Sequence, residues 1–434
     1  MQTAVEVVQG VQAGEFTARE VIDEQMKLIA SLNPVYNAIT SVLDVPDDPV
    51  GPLAGVVFSV KANIDVAGAA TTHGMKSLAT NVKTADAPIV ARLRAAGTTP
   101  IAHANMPTLN ARGMHTYSEL AGHTINPWDA TLSPGGSSGG DAVAVATGMA
   151  HFGIGNDGGG SLRLPAFLNG ICALKPSYGR YPQGTTYGQP DPSFPTQVMT
   201  VEGPLARSVA DLRLVHSVLC GADPSDPRAV PVPAAGEPVR RAAGYVPGDP
   251  VVEEAAKRLA DAGYEVEAVE LPRLEEAATL GIRMIATTIA LDFAAFEAFA
   301  GADVSAYAKL MLQLRPGLDL AEFLALTGTR LAIQREWARL LDRCPVVVGP
   351  VSTTPSFEPD QDRRDIASLM AYYEAMRLCE ATSFVGVPSV AVPTGLRDGL
   401  PTGVQVISRM YREDLALDAA QALEVPLRPA VSAG

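Results

Sequence analysis

Apolar residues recur along this chain at two spacings, and their alternation predicts strands threaded between helices. From residue 17 to 32, Val21, Ile22, Met26 and Ile29 fall on one side of a helix, with Thr17 and Glu20 in capping-box spacing at its start and Asn33-Pro34 expected to end it. The run 55–60 is short, rich in β-branched residues and apolar throughout, the pattern of a strand covered on both faces. Lys61 stands at its carboxyl end, the edge where open α/β sheets collect their active sites. Asp86 to Ala96 reads as a helix stopped by Gly97, Thr99 to His103 as the next strand, Asp141 to Thr147 as a helix of small residues, and His151 to Ile154 as a strand. Ser389 to Pro393 and Thr402 to Ile407 flank Asp398-Gly399, a favoured hairpin turn pair, so the sheet is expected to be mixed. A final helix follows from Glu413, and residues 274–341 read as mostly helical. There Met284, Phe293, Phe296, Phe299, Met311 and Leu312 are candidates for an apolar pocket, although core packing is the simpler explanation for any one of them.

Composition narrows the function classes more than it fixes the domain count. With 434 residues, 47% of them apolar, the chain allows up to about three domains or one large unit. The stretch 221–238, rich in Pro, Asp and Gly, is a linker or a long surface loop. A net charge of −14, with no basic cluster, argues against direct nucleic-acid binding. Cys172, Cys220, Cys344 and Cys379 are far apart and form no C-x-x-C pair, which argues for reduced, mostly buried thiols. The first residues lack the pattern of a signal peptide. The most apolar long stretch, Met284 to Val304, carries Asp292 and Glu297, so no membrane span is expected and the cytoplasm is the expected compartment.

The chemistry gathers at Lys61 and at two glycine-flanked serine segments, Pro134-Gly135-Gly136-Ser137-Ser138-Gly139-Gly140 and Asn156-Asp157-Gly158-Gly159-Gly160-Ser161-Leu162-Arg163. Flanking glycines leave a serine hydroxyl and the neighbouring amides open to a reacting carbonyl, and a buried lysine can accept a proton. Together they point to acyl transfer without histidine. A free lysine has a pKa near 10.4, and lowering it by roughly three units costs about 4 kcal/mol, which burial must supply. The plainer readings of Lys61 are a surface lysine or a partner of Asp65. Amides of Gly158, Gly159, Gly160 and Ser161 form a candidate oxyanion hole, against the plainer reading of a flexible glycine turn. Two rival motifs are weak. Gly153 to Gly158 satisfies G-x-G-x-x-G but lacks the acidic residue about twenty positions on. Gly136 to Gly140 satisfies G-x-S-x-G, yet only His151 and His216 follow, and His216 lies among apolar residues of a helix. No metal and no cofactor are expected.

The order and spacing of these segments resemble the amidase signature family of serine hydrolases. The likeness continues through Pro52-Leu53-Ala54-Gly55, Asn63-Ile64-Asp65, Asn105-Met106-Pro107, Asn126-Pro127-Trp128, Leu174 to Arg180, Gly203 to Ser208, Gly386 to Ser389 and Gly399 to Gln405. The resemblance implies a three-layer α/β/α sandwich around a large mixed sheet, spanning residues 1–434 as a single domain. It implies Lys61 as general base, Ser137 as bridging serine after a cis peptide bond, and Ser161 as nucleophile. Asp157 is expected to order the oxyanion loop, Arg163 to act as its ion-pair partner, and Ser138 to support the relay. Ala62 departs from the usual aspartate, and Asn156 and Gly158 stand where threonine is frequent. The implied activity is hydrolysis of a small carboxamide. The alternative is the glutamine-hydrolysing component of a tRNA-dependent amidotransferase. The implied partner is a small-molecule amide, and a homodimer is compatible with the sequence.

Overall fold

The computed structural model describes residues 1–184 and 191–431. Its strands are β1 (Ile39–Val42), β2 (Val57–Lys61), β3 (Thr99–Ala104), β4 (Tyr117–Ser118), β5 (Gly122–His123), β6 (Phe152–Asp157), β7 (Cys172–Lys175), β8 (Val201–Ala206), β9 (Ala242–Tyr245), β10 (Glu265–Ala268), β11 (Val346–Pro350), β12 (Ser389–Arg397) and β13 (Leu400–Ser408). All but β4 and β5 join one 11-stranded sheet in the order β1-β3-β2-β6-β8-β7-β12-β13-β11-β9-β10. The pairs β2–β3, β2–β6, β9–β10 and β9–β11 are parallel and the others antiparallel, so the sheet is mixed as expected.

Strand β2 shows why the sandwich has three layers. All five of its residues are buried. Phe58 and Val60 enter a core shared with the helices Pro88–Ala95, Val209–Leu219 and Glu413–Leu423. Val57 enters a different core, beneath the helices Ala18–Tyr36 and Gly139–Ala146. Because strand side chains alternate, Ser59 and Lys61 share the face of Val57 and look toward the helix Gly139–Ala146.

The hairpin at the carboxyl end forms as expected, with Asp398 (φ 53°) and Gly399 (φ 80°) in the left-handed region that a two-residue turn requires. Thr17 caps the helix Ala18–Tyr36 with the reciprocal Glu20 contact. That helix runs through Pro34 instead of stopping there, and Asn37 ends it in the left-handed conformation. Asn33 stabilises the last turn through paired bonds to the Ile39 backbone, at 2.9 and 2.8 Å. The 221–238 stretch connects the helix Val209–Leu219 to β9 of the same sheet.

The helical region forms as Leu274–Ala290, Phe293–Leu314 and Leu320–Arg343. Met284 and Met311 are core residues, whereas Phe299 is exposed. The stretch 284–304 is broken before Phe293, where two helices meet at 105°. Among the described residues, no single helix is long and apolar enough to cross a membrane.

Candidate active site

β2 and β6 run parallel and end side by side, which brings Lys61 and Asn156-Asp157 to the same sheet edge. Both serine segments arrive there just before a helix: Ser137 precedes Gly139–Ala146, and Ser161 precedes Arg163–Asn169. Amides in a first helical turn have no intrahelical acceptor, so such loops present N–H groups to a ligand. The helix Gly139–Ala146 can lie close on β6 because Gly155 has no side chain; a Cβ there would fall 2.4 Å from Ser138 Oγ. That packing role accounts for a glycine of the G-x-G-x-x-G run.

Lys61 is fully buried, and its Nζ donates to Ser137 Oγ at 2.6 Å and to Asn156 Oδ1 at 2.7 Å. Burial lowers its pKa to about 7, against the opposing pull of Asp141 and Asp157. The plainer pairing with Asp65 is not what forms, since that carboxylate takes Thr71 Oγ1 at 2.6 Å and Lys83 at 3.7 Å. The Gly136–Ser137 peptide bond is cis. Ser137 is 1% exposed and Ser161 is partly exposed, so accessibility increases from Lys61 through Ser137 to Ser161.

Ser138 joins the two serine segments through the main chain, its N–H donating to Ser161 O at 3.1 Å. The expected contact between the Ser137 and Ser161 hydroxyls is not formed, and among the described residues Ser161 Oγ makes no hydrogen bond. Catalytic hydrogen bonds of this kind are often open before substrate arrives and tighten afterwards.

Asp157 is the keystone of the glycine loop. Its Oδ1 accepts from Gly159 N (3.2 Å) and Gly160 N (2.7 Å), and its Oδ2 from Leu162 N (3.2 Å) and Arg163 N (3.4 Å). It thus takes amides on both sides of Ser161 and not that of Ser161 itself. Two of the three glycines predicted to face an oxyanion therefore already have an acceptor, and Gly158 does not donate to Asp157. Arg163 closes the arrangement with two 2.9 Å bonds to Asp157, and reaches Thr382, Ser383, Gln405 and the Cys379 carbonyl. The guanidinium and the loop amides hold the Asp157 carboxyl well below the usual range despite its burial.

Three further residues belong to this site and were not singled out from sequence. Asn156 is one, noted only as a departure, yet it is an acceptor for Lys61. Asp141 is another: fully buried, it accepts from Ser59 Oγ at 2.6 Å on the face of β2 that carries Lys61, and burial raises its pKa. Its signal was a lone acid in the otherwise small and apolar run of Gly139–Ala146. The third is Glu380, which lies against Gly159. His151 does not take part. It lies at the start of β6, away from Asp157, with Nδ1 accepting from Val57 N at 3.0 Å, and burial lowers its pKa to about 3. His216 bonds Tyr181 at 2.6 Å within its helix packing. Among the described residues, no cluster of His, Cys, Asp or Glu is placed to hold a metal.

A buried lysine, two glycine-flanked serines and an amide-rich loop thus meet at one edge of the sheet. Residues 18–417 match the amidase family, to which the chain belongs. It is therefore a hydrolase acting on amides. It is 33% identical to the indoleacetamide hydrolase of Bradyrhizobium diazoefficiens, covering 97% of this chain and 86% of that protein. It is 31% identical to a component of the glutamyl-tRNA(Gln) amidotransferase of Deinococcus deserti, covering 97% and 96%. Among solved structures it is similar to a peptide amidase in complex with chymostatin, at 25% identity and a TM-score of 0.79, with 99% of each chain covered. A bacterial aryl acylamidase gives the same identity and TM-score over 97% and 95%.

Proposed function

We propose that this enzyme hydrolyses the C–N bond of a small carboxamide through an acyl-enzyme on Ser161, with Ser137 and Lys61 as proton relay. The observation that carries the reading is the 2.6 Å contact between Lys61 and Ser137 at a fully buried amine. Neutral Lys61 keeps one N–H on Asn156 Oδ1 and turns its lone pair toward Ser137, so Asn156 is a positioning residue. Ser137 gives its proton to Lys61 as it takes one from Ser161, whose Oγ attacks the carbonyl carbon. The developing oxyanion is received by loop amides, with Ser161 and Gly158 free of Asp157 and Gly159 held only at 3.2 Å. The shorter Gly160 contact keeps the loop in shape. Collapse breaks the C–N bond, the proton returns through Ser137 to the leaving nitrogen, and water then cleaves the acyl-enzyme by the same relay.

The test is a panel of aliphatic, aromatic and amino-acid amides, with ammonia or amine release monitored and Lys61→Ala as blank. L-Glutamine belongs in the panel because one relative is part of an amidotransferase. Ammonia from the wild type only is expected; equal release from both proteins would sink the proposal.

The pH dependence has a definite sign. The base works only when unprotonated, so kcat/KM is expected to rise with pH through the Lys61 pKa of about 7 and then level off. Asp141 favours the ammonium form, so Asp141→Asn should move the rising limb to lower pH. A pH–rate series on both proteins checks this, and an unmoved limb would show that Asp141 does not set the base.

A further inference from the structure

The helix Ile366–Val385 presses one face onto the glycine loop at helical spacing, through Met376, Cys379, Glu380 and Ser383. Met376 and Cys379 abut Gly160, where an added Cβ would meet Met376 Cε at 2.5 Å and Cys379 Cβ at 3.2 Å. Ser383 reaches Asp157 at 3.4 Å. Glu380 lies across the face of Gly159, since a Cβ on that glycine would fall 2.5 and 2.6 Å from its two carboxyl oxygens. It is 9% exposed, and among the described residues it forms no hydrogen bond or ion pair. The relay described above does not use this carboxyl.

Its position also constrains its charge. Gly159 is two residues from Ser161, so a carboxylate here would oppose the negative charge that develops during acylation. Burial, reinforced by Asp157, raises the pKa of Glu380 to about 8, so the free enzyme holds mostly the neutral acid near pH 7. A neutral carboxyl keeps an acceptor oxygen without placing charge beside the oxyanion.

We propose that Glu380 is a specificity determinant, its carboxyl oxygen accepting a hydrogen bond from a neutral N–H on the substrate outside the scissile amide. Preferred substrates then carry such a donor on an otherwise apolar acyl group, matching Met376 and Cys379 beside it. This rests on the Ser161 reading of the site.

The test compares amide pairs differing in one donor: indole-3-acetamide against naphthalene-1-acetamide, and 4-aminobutanamide against pentanamide as a cationic arm. The wild type is expected to favour indole-3-acetamide by kcat/KM. That preference should fall about 10-fold in Glu380→Leu and stay within about 3-fold in Glu380→Gln, which keeps an acceptor oxygen. Since Leu replaces an unpaired buried acid, its thermal midpoint should not fall, so loss of folding is read separately.

An equal loss on both members of the indole pair would overturn the proposal. So would a loss in Glu380→Gln confined to 4-aminobutanamide, which would mean an ionised carboxylate reading an ammonium group. Absence of turnover by the wild type on every amide would instead bring down the underlying Ser161 reading.

Discussion

Replacing Ser161 by alanine is expected to lower kcat by on the order of 10⁴-fold or more and to abolish labelling by a serine-directed phosphonate. Thermal unfolding should stay close to that of the wild type. Among the described residues, no other hydroxyl of the two serine segments is accessible. Ser137 is almost fully buried and engaged by Lys61, and Ser138 is sealed beneath, directed at the Asn156 carbonyl at 3.4 Å. Ser161 Oγ has no hydrogen-bond partner among the described residues, so deleting it strands no buried donor or acceptor, and such substitutions stay within about 0.5 kcal/mol. Full labelling of the alanine variant would place the nucleophile elsewhere.

Ser137→Ala makes a useful contrast. It leaves Lys61 with Asn156 as its remaining hydrogen-bond acceptor among those described, so its effect should appear in the pH profile as well as in the rate.

What sequence could show here, and what it could not, follows from the range of the interactions involved. The strand ending in Lys61 was legible because burial on both faces demands a continuous apolar run, and the hairpin because Asp398-Gly399 is local turn chemistry. The serine segments were legible because glycines must flank them for steric reasons. Partnerships across the sheet were not legible. Asn156 acts on Lys61 from 95 positions away, and Glu380 meets Gly159 only because a helix more than two hundred residues downstream is laid on the loop. Nor could a run of glycines show that Asp157 would claim the amides of Gly159 and Gly160. That competition is decided by loop geometry, in which one carboxylate sits where several N–H groups converge. The end of the first long helix was misjudged for a local reason, because Pro34 falls in a last turn that Asn33 and Asn37 hold closed.

The largest stability effect is expected at Arg163. Arg163→Met removes both 2.9 Å bonds to Asp157 while leaving that carboxylate fully buried. Breaking one side of a buried ion pair costs about 3–5 kcal/mol, because the remaining charge keeps its desolvation penalty. Denaturant unfolding at pH 8 would measure this loss. In the wild type the Asp157 pKa is depressed, so its contribution is present above the pKa of the unfolded carboxyl and is lost as pH falls through the folded value. In the variant the chief opposing charge is gone and desolvation dominates, so Asp157 takes up a proton more readily. The stability gap between the two proteins should therefore narrow as pH is lowered toward 5. Adding Asp157→Asn to Arg163→Met should restore part of the lost stability by removing the stranded charge. It should not restore activity to the same extent, because an amide has one acceptor oxygen where the carboxylate served amides on both sides of Ser161. A single variant as stable as the wild type at pH 8 would show that the Arg163–Asp157 pair does not hold the loop.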